Sequence, residues 1–176
     1  MIYSKDKGGA FMTVQERMEE ARRLLEVLPV MGRFISPIQA NSLKNRDICG
    51  VITGYSFGFN NLSYRGIWLS TFEDIHVKLD GKEVPQGSMV LSIKGMKIPV
   101  RDLEGHSEVF WGAEDACSLL VYQLGGLAKG KHKVEVEMLR RNDFGHTVGN
   151  GTDGYEEAQE FLNPMHICDA AEMEVE

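Results

Sequence analysis

Two hydrophobic periodicities divide the chain. Near the start, apolar residues recur at helical spacing as Val14, Met18, Ala21, Leu24, Leu25 and Leu28, following the capping box Thr13-x-x-Glu16 and ending at Pro29. Gln15, Arg17, Glu19, Arg22, Arg23 and Glu26 make the other face polar, which predicts an amphipathic helix that must pack on its own domain or on a neighbouring chain. Beyond Pro37 the period drops to two, in short runs of β-branched and aromatic residues separated by Gly, Asp and Pro, the grammar of β-sheet.

The clearest strand is Asp74 to Leu79, where Ile75, Val77 and Leu79 share one face and His76 falls on the polar one. Asp80-Gly81 behind it is a type I′ turn dipeptide leading into Lys82 to Val84. Ser88 to Ile93 and Met96 to Val100, joined by Lys94-Gly95, read as a second hairpin, with Pro99 suited to a sheet edge. Cys117 to Gln123 and Lys131 to Arg140 read as a third hairpin, joined through a glycine-rich link. Cys49 to Asn60 and Tyr64 to Ser70 supply two more strands around a polar turn. Strands spaced by roughly 8 to 12 residues, with no helical period between them, predict an all-β fold. It is an antiparallel β-sandwich, jelly-roll or immunoglobulin-like, with an N-terminal amphipathic helix. The expected organisation is a helical arm over 1–47, a β-sandwich core over 48–140, and a Gly-rich loop and acidic tail over 141–176, with a short helix at 155–162.

Composition narrows the function classes. The 176 residues are 43% hydrophobic and 26% charged, enough for one core, and no apolar run approaches the roughly 18 residues of a membrane span. Met1 is followed by Ile-Tyr-Ser-Lys-Asp-Lys-Gly-Gly, which lacks a secretory h-region, so a cytoplasmic location is expected. Residues 141–176 carry nine acidic and one basic group and hold nearly all of the net charge of −7. With no basic stripe to offset that field, nucleic acid is excluded as a partner. Cys49, Cys117 and Cys168 are too scattered for a disulfide framework or a Cys-x-x-Cys pair.

Catalytic motifs fail in their context. Gly149 to Gly154 spells G-x-G-x-x-G without room for a βαβ unit, and Asp143-Phe144-Gly145 stands without the rest of a kinase. The five histidines form no metal-ligand spacing, His166 with Cys168 and Asp169 being the closest approach, and no serine or cysteine sits in a nucleophile motif. No catalytic or metal-binding residue is therefore assigned. Tyr64-Arg65-Gly66-Ile67-Trp68-Leu69 stands out instead. Period two puts Tyr64 and Trp68 on one face and Arg65 with Ile67 and Leu69 on the other, where a guanidinium needs an acid or a protein interface. His132, in phase with Val134, Val136 and Met138, belongs to a core or an interface. Tyr64, Arg65, Trp68 and His132 are the expected partner-interface residues.

The ordered string Gly58-Phe59, Tyr64-Arg65-Gly66, Leu69-Ser70, Glu73-Asp74-Ile75, Asp80-Gly81, Val84-Pro85, Trp111-Gly112, Gly125-Gly126-Leu127, Gly130, His132 and Val134-Glu135-Val136 resembles the beta subunit of bacterial C-glycoside deglycosidases over about residues 48–140. The resemblance implies a β-sandwich subunit that joins a larger TIM-barrel alpha subunit similar to sugar phosphate isomerases, which binds a divalent metal, commonly manganese. It also implies the reaction, cleavage of the bond between an aglycone and a 3-oxo-glucose. The C3 ketone acidifies the C2 proton, a base removes it, a metal steadies the enolate, and the aglycone leaves from C1. No cofactor is expected in this chain. The competing expectation is a stand-alone carbohydrate-binding β-sandwich in which Tyr64, Trp68 or Trp111 stacks on a sugar ring.

Overall fold

The computed structural model describes residues 36–61, 66–140 and 165–176. The predicted helix of the arm, Tyr64, Arg65 and the helix expected at 155–162 lie outside the described residues. Among the described residues eleven strands form antiparallel sheets: β1 Lys44–Ile48, β2 Val51–Gly58, β3 Ile67–Trp68, β4 Phe72–Leu79, β5 Lys82–Glu83, β6 Met89–Ile93, β7 Met96–Pro99, β8 Phe110–Trp111, β9 Cys117–Tyr122, β10 Gly130–Arg140 and β11 Met165–Val175. One sheet has the order β1-β2-β9-β6-β7 and the other β11-β10-β4-β5, while β3 and β8 pair with each other. Tyr55, Phe57 and Leu119 from the first sheet and Val77, Val136 and Met138 from the second belong to one buried cluster, so the all-β sandwich is the observed fold. Each such side chain contributes about 1.5–3 kcal/mol through burial.

The two tight hairpins read from turn dipeptides form as expected. Asp80 and Gly81 adopt φ of 50° and 77° between β4 and β5, and Lys94 and Gly95 repeat those values between β6 and β7. Both pairs are left-handed at the two central positions, as a type I′ turn requires. Pro99 lies in β7, an edge strand, where its missing N–H costs no ladder bond.

The expected third hairpin is not one. β9 sits between β2 and β6, whereas β10 sits between β11 and β4 in the opposite sheet. The apolar faces of β9 and β10 therefore meet across the core instead of lying side by side. The link between them is a crossover, turned by Gly125, Gly126 and Gly130 at φ of 86°, 62° and 126°. Leu127 is buried there, and its N–H and C=O are both held by the Asn45 side chain at 2.8 and 2.9 Å. A Cβ on Gly126 would stand 2.4 Å from the Asn45 Oδ1, so that clamp depends on glycine.

Both ends of the chain's core also extend past the expected boundaries. Within the segment assigned to the arm, Ile38 and Leu43 are core residues, Ile38 bridges Phe59, and β1 pairs with β2. Within the expected acidic tail, β11 runs in unbroken register with β10 from Val175 opposite Gly130 to Met165 opposite Arg140. Met173 and Val175 enter the core, with Ile167 and Ala171 packed against it. Asp169 shares their phase but caps the incoming chain, accepting hydrogen bonds from the Ser36 hydroxyl and, at 3.3 Å, from the Ile38 N–H.

Candidate functional site

The β3–β8 pair builds a braced aromatic corner. Consecutive residues of a strand face opposite ways, so Phe110 and Trp111 separate. Trp111 is fully buried, stacking on Phe59 at 5.9 Å and lying 6.4 Å from Phe72, with its Nε1 donating to the Asp115 carbonyl at 3.0 Å. Phe110 turns outward at 37% exposure, opposite Trp68 at 44%. The two rings meet edge to face, with centroids 5.0 Å apart and an interplanar angle of 64°.

Polar groups lock this pair from behind. Lys94 Nζ donates to the Phe110 carbonyl at 2.7 Å and pairs with Asp115 Oδ2 at 2.8 Å, and the same carboxylate accepts the Gly112 N–H at 2.6 Å. The Lys94 bond, then the Gly112 N–H, hold the Asp115 carboxyl below its ordinary value. Asn61 Nδ2 donates to the Trp111 carbonyl at 2.6 Å. Gly66 adopts φ of 93°, and a Cβ there would sit 2.5 Å from the Phe110 ring and 2.7 Å from the Trp111 carbonyl. The corner is thus a braced, outward-facing aromatic platform.

The structure separates the expected interface residues. Trp68 stands at this corner, and Tyr64 and Arg65 precede it in sequence outside the described residues. His132 opens β10 in the other sheet, with Nδ1 2.8 Å from Asp80 Oδ2 and Nε2 2.9 Å from the Ala128 carbonyl, so both ring nitrogens are engaged within the chain. Phe110 was missed by sequence reasoning, although two adjacent aromatics on one strand require that one of them face out. Tyr122 at 47% and Leu124 at 83% exposure were missed as well. Trp111 is closed to sugar stacking by its burial.

The remaining chemistry is dispersed. His76 lies between Glu83, 2.9 Å from Nδ1, and Asp74, 3.0 Å from Nε2. Burial lowers the His76 pKa, but the bonds to the two carboxylates outweigh it and the net shift is upward. Cys117 is buried, which pushes its thiol up to about 12 and leaves it protonated and inert. Cys49 and Cys168 are exposed. Among the described residues no group of three His, Cys, Asp or Glu could hold a metal ion, and no helix is long and apolar enough to cross a membrane.

Fold and site together define an antiparallel β-sandwich that presents an exposed, braced aromatic corner. Residues 35–144 match the family described as C-glycoside deglycosidase beta subunit, a span that takes in β1 through β10 and both corner strands. The chain belongs to that family. It is 27% identical over 103 residues to a C-glycoside deglycosidase beta subunit of Eubacterium cellulosolvens (strain ATCC 43171 / JCM 9499 / 6), a match covering 58% of this chain and 69% of that protein.

Proposed function

We propose that the chain is the non-catalytic beta subunit of a lyase complex, docking through its Trp68–Phe110 corner onto a metal-dependent TIM-barrel alpha subunit that cleaves 3-oxo-glucosides. The observation that carries the reading is the placement of this exposed, braced aromatic pair inside the segment matched to the beta-subunit family. Exposed aromatics held rigid lose little entropy on association, the property of interface anchors. Tyr64 and Arg65, adjoining in sequence, are further proposed partner contacts, and the complex works in the cytoplasm.

The reaction divides the labour. Elimination of the aglycone from C1 needs a base for the C2 proton and an electrophile for the C3 oxygen. Among the described residues the His76 cluster does not suit a metal in that role, because Glu83 and Asp74 bind opposite nitrogens of His76 and the three do not converge on one point. In this reading the metal, commonly manganese in this family, and the base belong to the alpha subunit. This chain supports or partly walls the site.

Native mass of the chain purified alone and co-expressed with a TIM-barrel protein encoded beside it tests the reading. A stable hetero-complex is expected, and a chain that stays alone in both samples overturns it. Trp68→Ala is expected to weaken the complex by about 30-fold or more, the range of an aromatic anchor, while leaving the isolated chain folded. If Leu124→Ala disrupts the complex and Trp68→Ala does not, the docking surface lies at the crossover instead.

A further inference from the structure

The crossover from Gln123 to Lys129 is the covalent link between β9 of one sheet and β10 of the other, and it is tied down on both sides. Toward the five-stranded sheet the ties are neutral: the Asn45 amide grips Leu127, and the Gly125 N–H donates to the Ile52 carbonyl at 2.9 Å. Toward the four-stranded sheet the tie is ionic. The His132 side chain, 12% exposed, bridges the Ala128 carbonyl and the Asp80 carboxylate.

Both partners of that ring are acceptors. A carbonyl oxygen cannot donate, and neither can an ionised carboxylate. Asp80 has little freedom to turn away, since its Oδ1 accepts the Lys133 N–H at 2.9 Å, its own N–H donates to the Lys133 carbonyl at 2.9 Å, and its backbone is set in the type I′ turn. Two hydrogen bonds therefore form only when both ring nitrogens carry protons. In the neutral ring one lone pair faces an oxygen lone pair.

We propose that His132 is a pH-operated latch: as an imidazolium it ties the crossover to the β4–β5 turn, and loss of one proton releases the crossover at Ala128 while Asn45 keeps hold of Leu127.

Of the surrounding charges, the Asp80 carboxylate favours the imidazolium and the nearby lysines oppose it. Asp80 is the acid in contact with the ring, and Lys82, Lys129, Lys131 and Lys133 are the cations on the neighbouring segments. β11 places Met173 opposite His132 in register. From β2, the Tyr55 hydroxyl is pushed up to about 12, by burial first and then by the Asp80 charge. The bond to Asp80, and then that to Ala128, raise the His132 pKa above its ordinary value against the pull of burial, and Asp80 is lowered in return. A raised pKa means that the latch holds fully below the ordinary histidine value of about 6.5 and is lost as pH climbs through the latched value. Across that window its opening constant rises by up to about tenfold per pH unit, and outside it the constant is flat.

The test uses the full chain with 15N-labelled histidine. Long-range 15N–1H spectra at about pH 6 are expected to show both His132 nitrogens protonated. In the uniformly labelled chain the amplitude of backbone motion at Ala128, read from 15N relaxation, is expected to rise above that pH, a rise that persists in His76→Gln and vanishes in His132→Gln. An unprotonated His132 nitrogen at that pH, or an unchanged rise in His132→Gln, overturns the latch. If His132→Gln does not fold, the spectra of the unmodified chain decide alone.

Discussion

Met173 offers a sharp trial of the placement of β11. Its side chain is 2% exposed and faces the core, whereas Glu174 beside it faces solvent. Truncating a buried methionine to alanine costs about 2–5 kcal/mol, from lost transfer energy plus the cavity left behind. β11 is an edge strand and its inward neighbour Ala171 is only partly buried, so the walls can close in somewhat. That puts Met173→Ala near the low end, about 2–3 kcal/mol. Glu174→Ala removes an exposed side chain and stays within about 0.5 kcal/mol. In urea, with a slope of about 2 kcal/mol per molar, Met173→Ala lowers the unfolding midpoint by roughly 1 M without changing the slope, and Glu174→Ala leaves it in place. Equal midpoints for the two variants would refute the packing of β11, since a solvated acidic tail is indifferent to both substitutions.

Three further outcomes follow from the same geometry. Among the described residues the buried Tyr55 hydroxyl has no hydrogen-bond partner, so Tyr55→Phe is expected to raise stability by about 1 kcal/mol, and a loss of that size in thermal unfolding would contradict the assignment. Gly66→Ala forces a Cβ against the Trp111 carbonyl at a left-handed φ, costing about 2 kcal/mol or more by urea midpoint, and a neutral result would mean that the corner is loose. The raised pKa of His76 makes its carboxylate contacts strongest below about pH 6.5 and weaker as pH rises through the raised value. The fall in urea midpoint between about pH 6 and 8 should therefore shrink in His76→Gln without vanishing, because His132 titrates in the same direction; an unchanged fall would exclude His76 as a contributor.

What could be read from the chain followed how locally each feature is encoded. Asp80-Gly81 and Lys94-Gly95 specify their hairpins through backbone conformation alone, so those strands were legible without any tertiary knowledge. β1 was not, because Lys-Asn-Arg-Asp-Ile is a polar edge strand whose apolar cover comes from elsewhere, and its turn, Cys49-Gly50 at φ of 53° and 82°, is an uncommon dipeptide for that geometry. β11 carries the period of two in Ile167, Ala171, Met173 and Val175, but Asp169 falls in the same phase and masks it until its bond to Ser36 is seen. The pairing of β9 and β10 was misread because a glycine-rich link suits a hairpin and a crossover equally well, and only Leu127 seated against Asn45 distinguishes them. At the corner, Trp68 was legible as an exposed aromatic on a short strand, while its partner Phe110 required knowing which of two adjacent rings the core had claimed.

The polar side of the four-stranded sheet sets Lys78 opposite Glu135, His76 opposite Glu137, Lys133 opposite Glu172 and Lys131 opposite Glu174. Exposed pairs of this kind add little to stability, yet they solve a problem that the apolar side cannot. A strand that slips by two residues keeps every hydrophobic side chain facing inward, so burial does not distinguish the slipped sheet from the correct one. Slipping β4 one way along β10 brings Asp80 against Glu135, the other way Asp74 against Glu137, and one slip of β11 brings Glu172 against Glu135. Each collision of like charges costs a few tenths of a kcal/mol to about 1 kcal/mol, felt as soon as the strands begin to zip. The solvent face thus works as a proofreader of alignment for the longest strands in the fold.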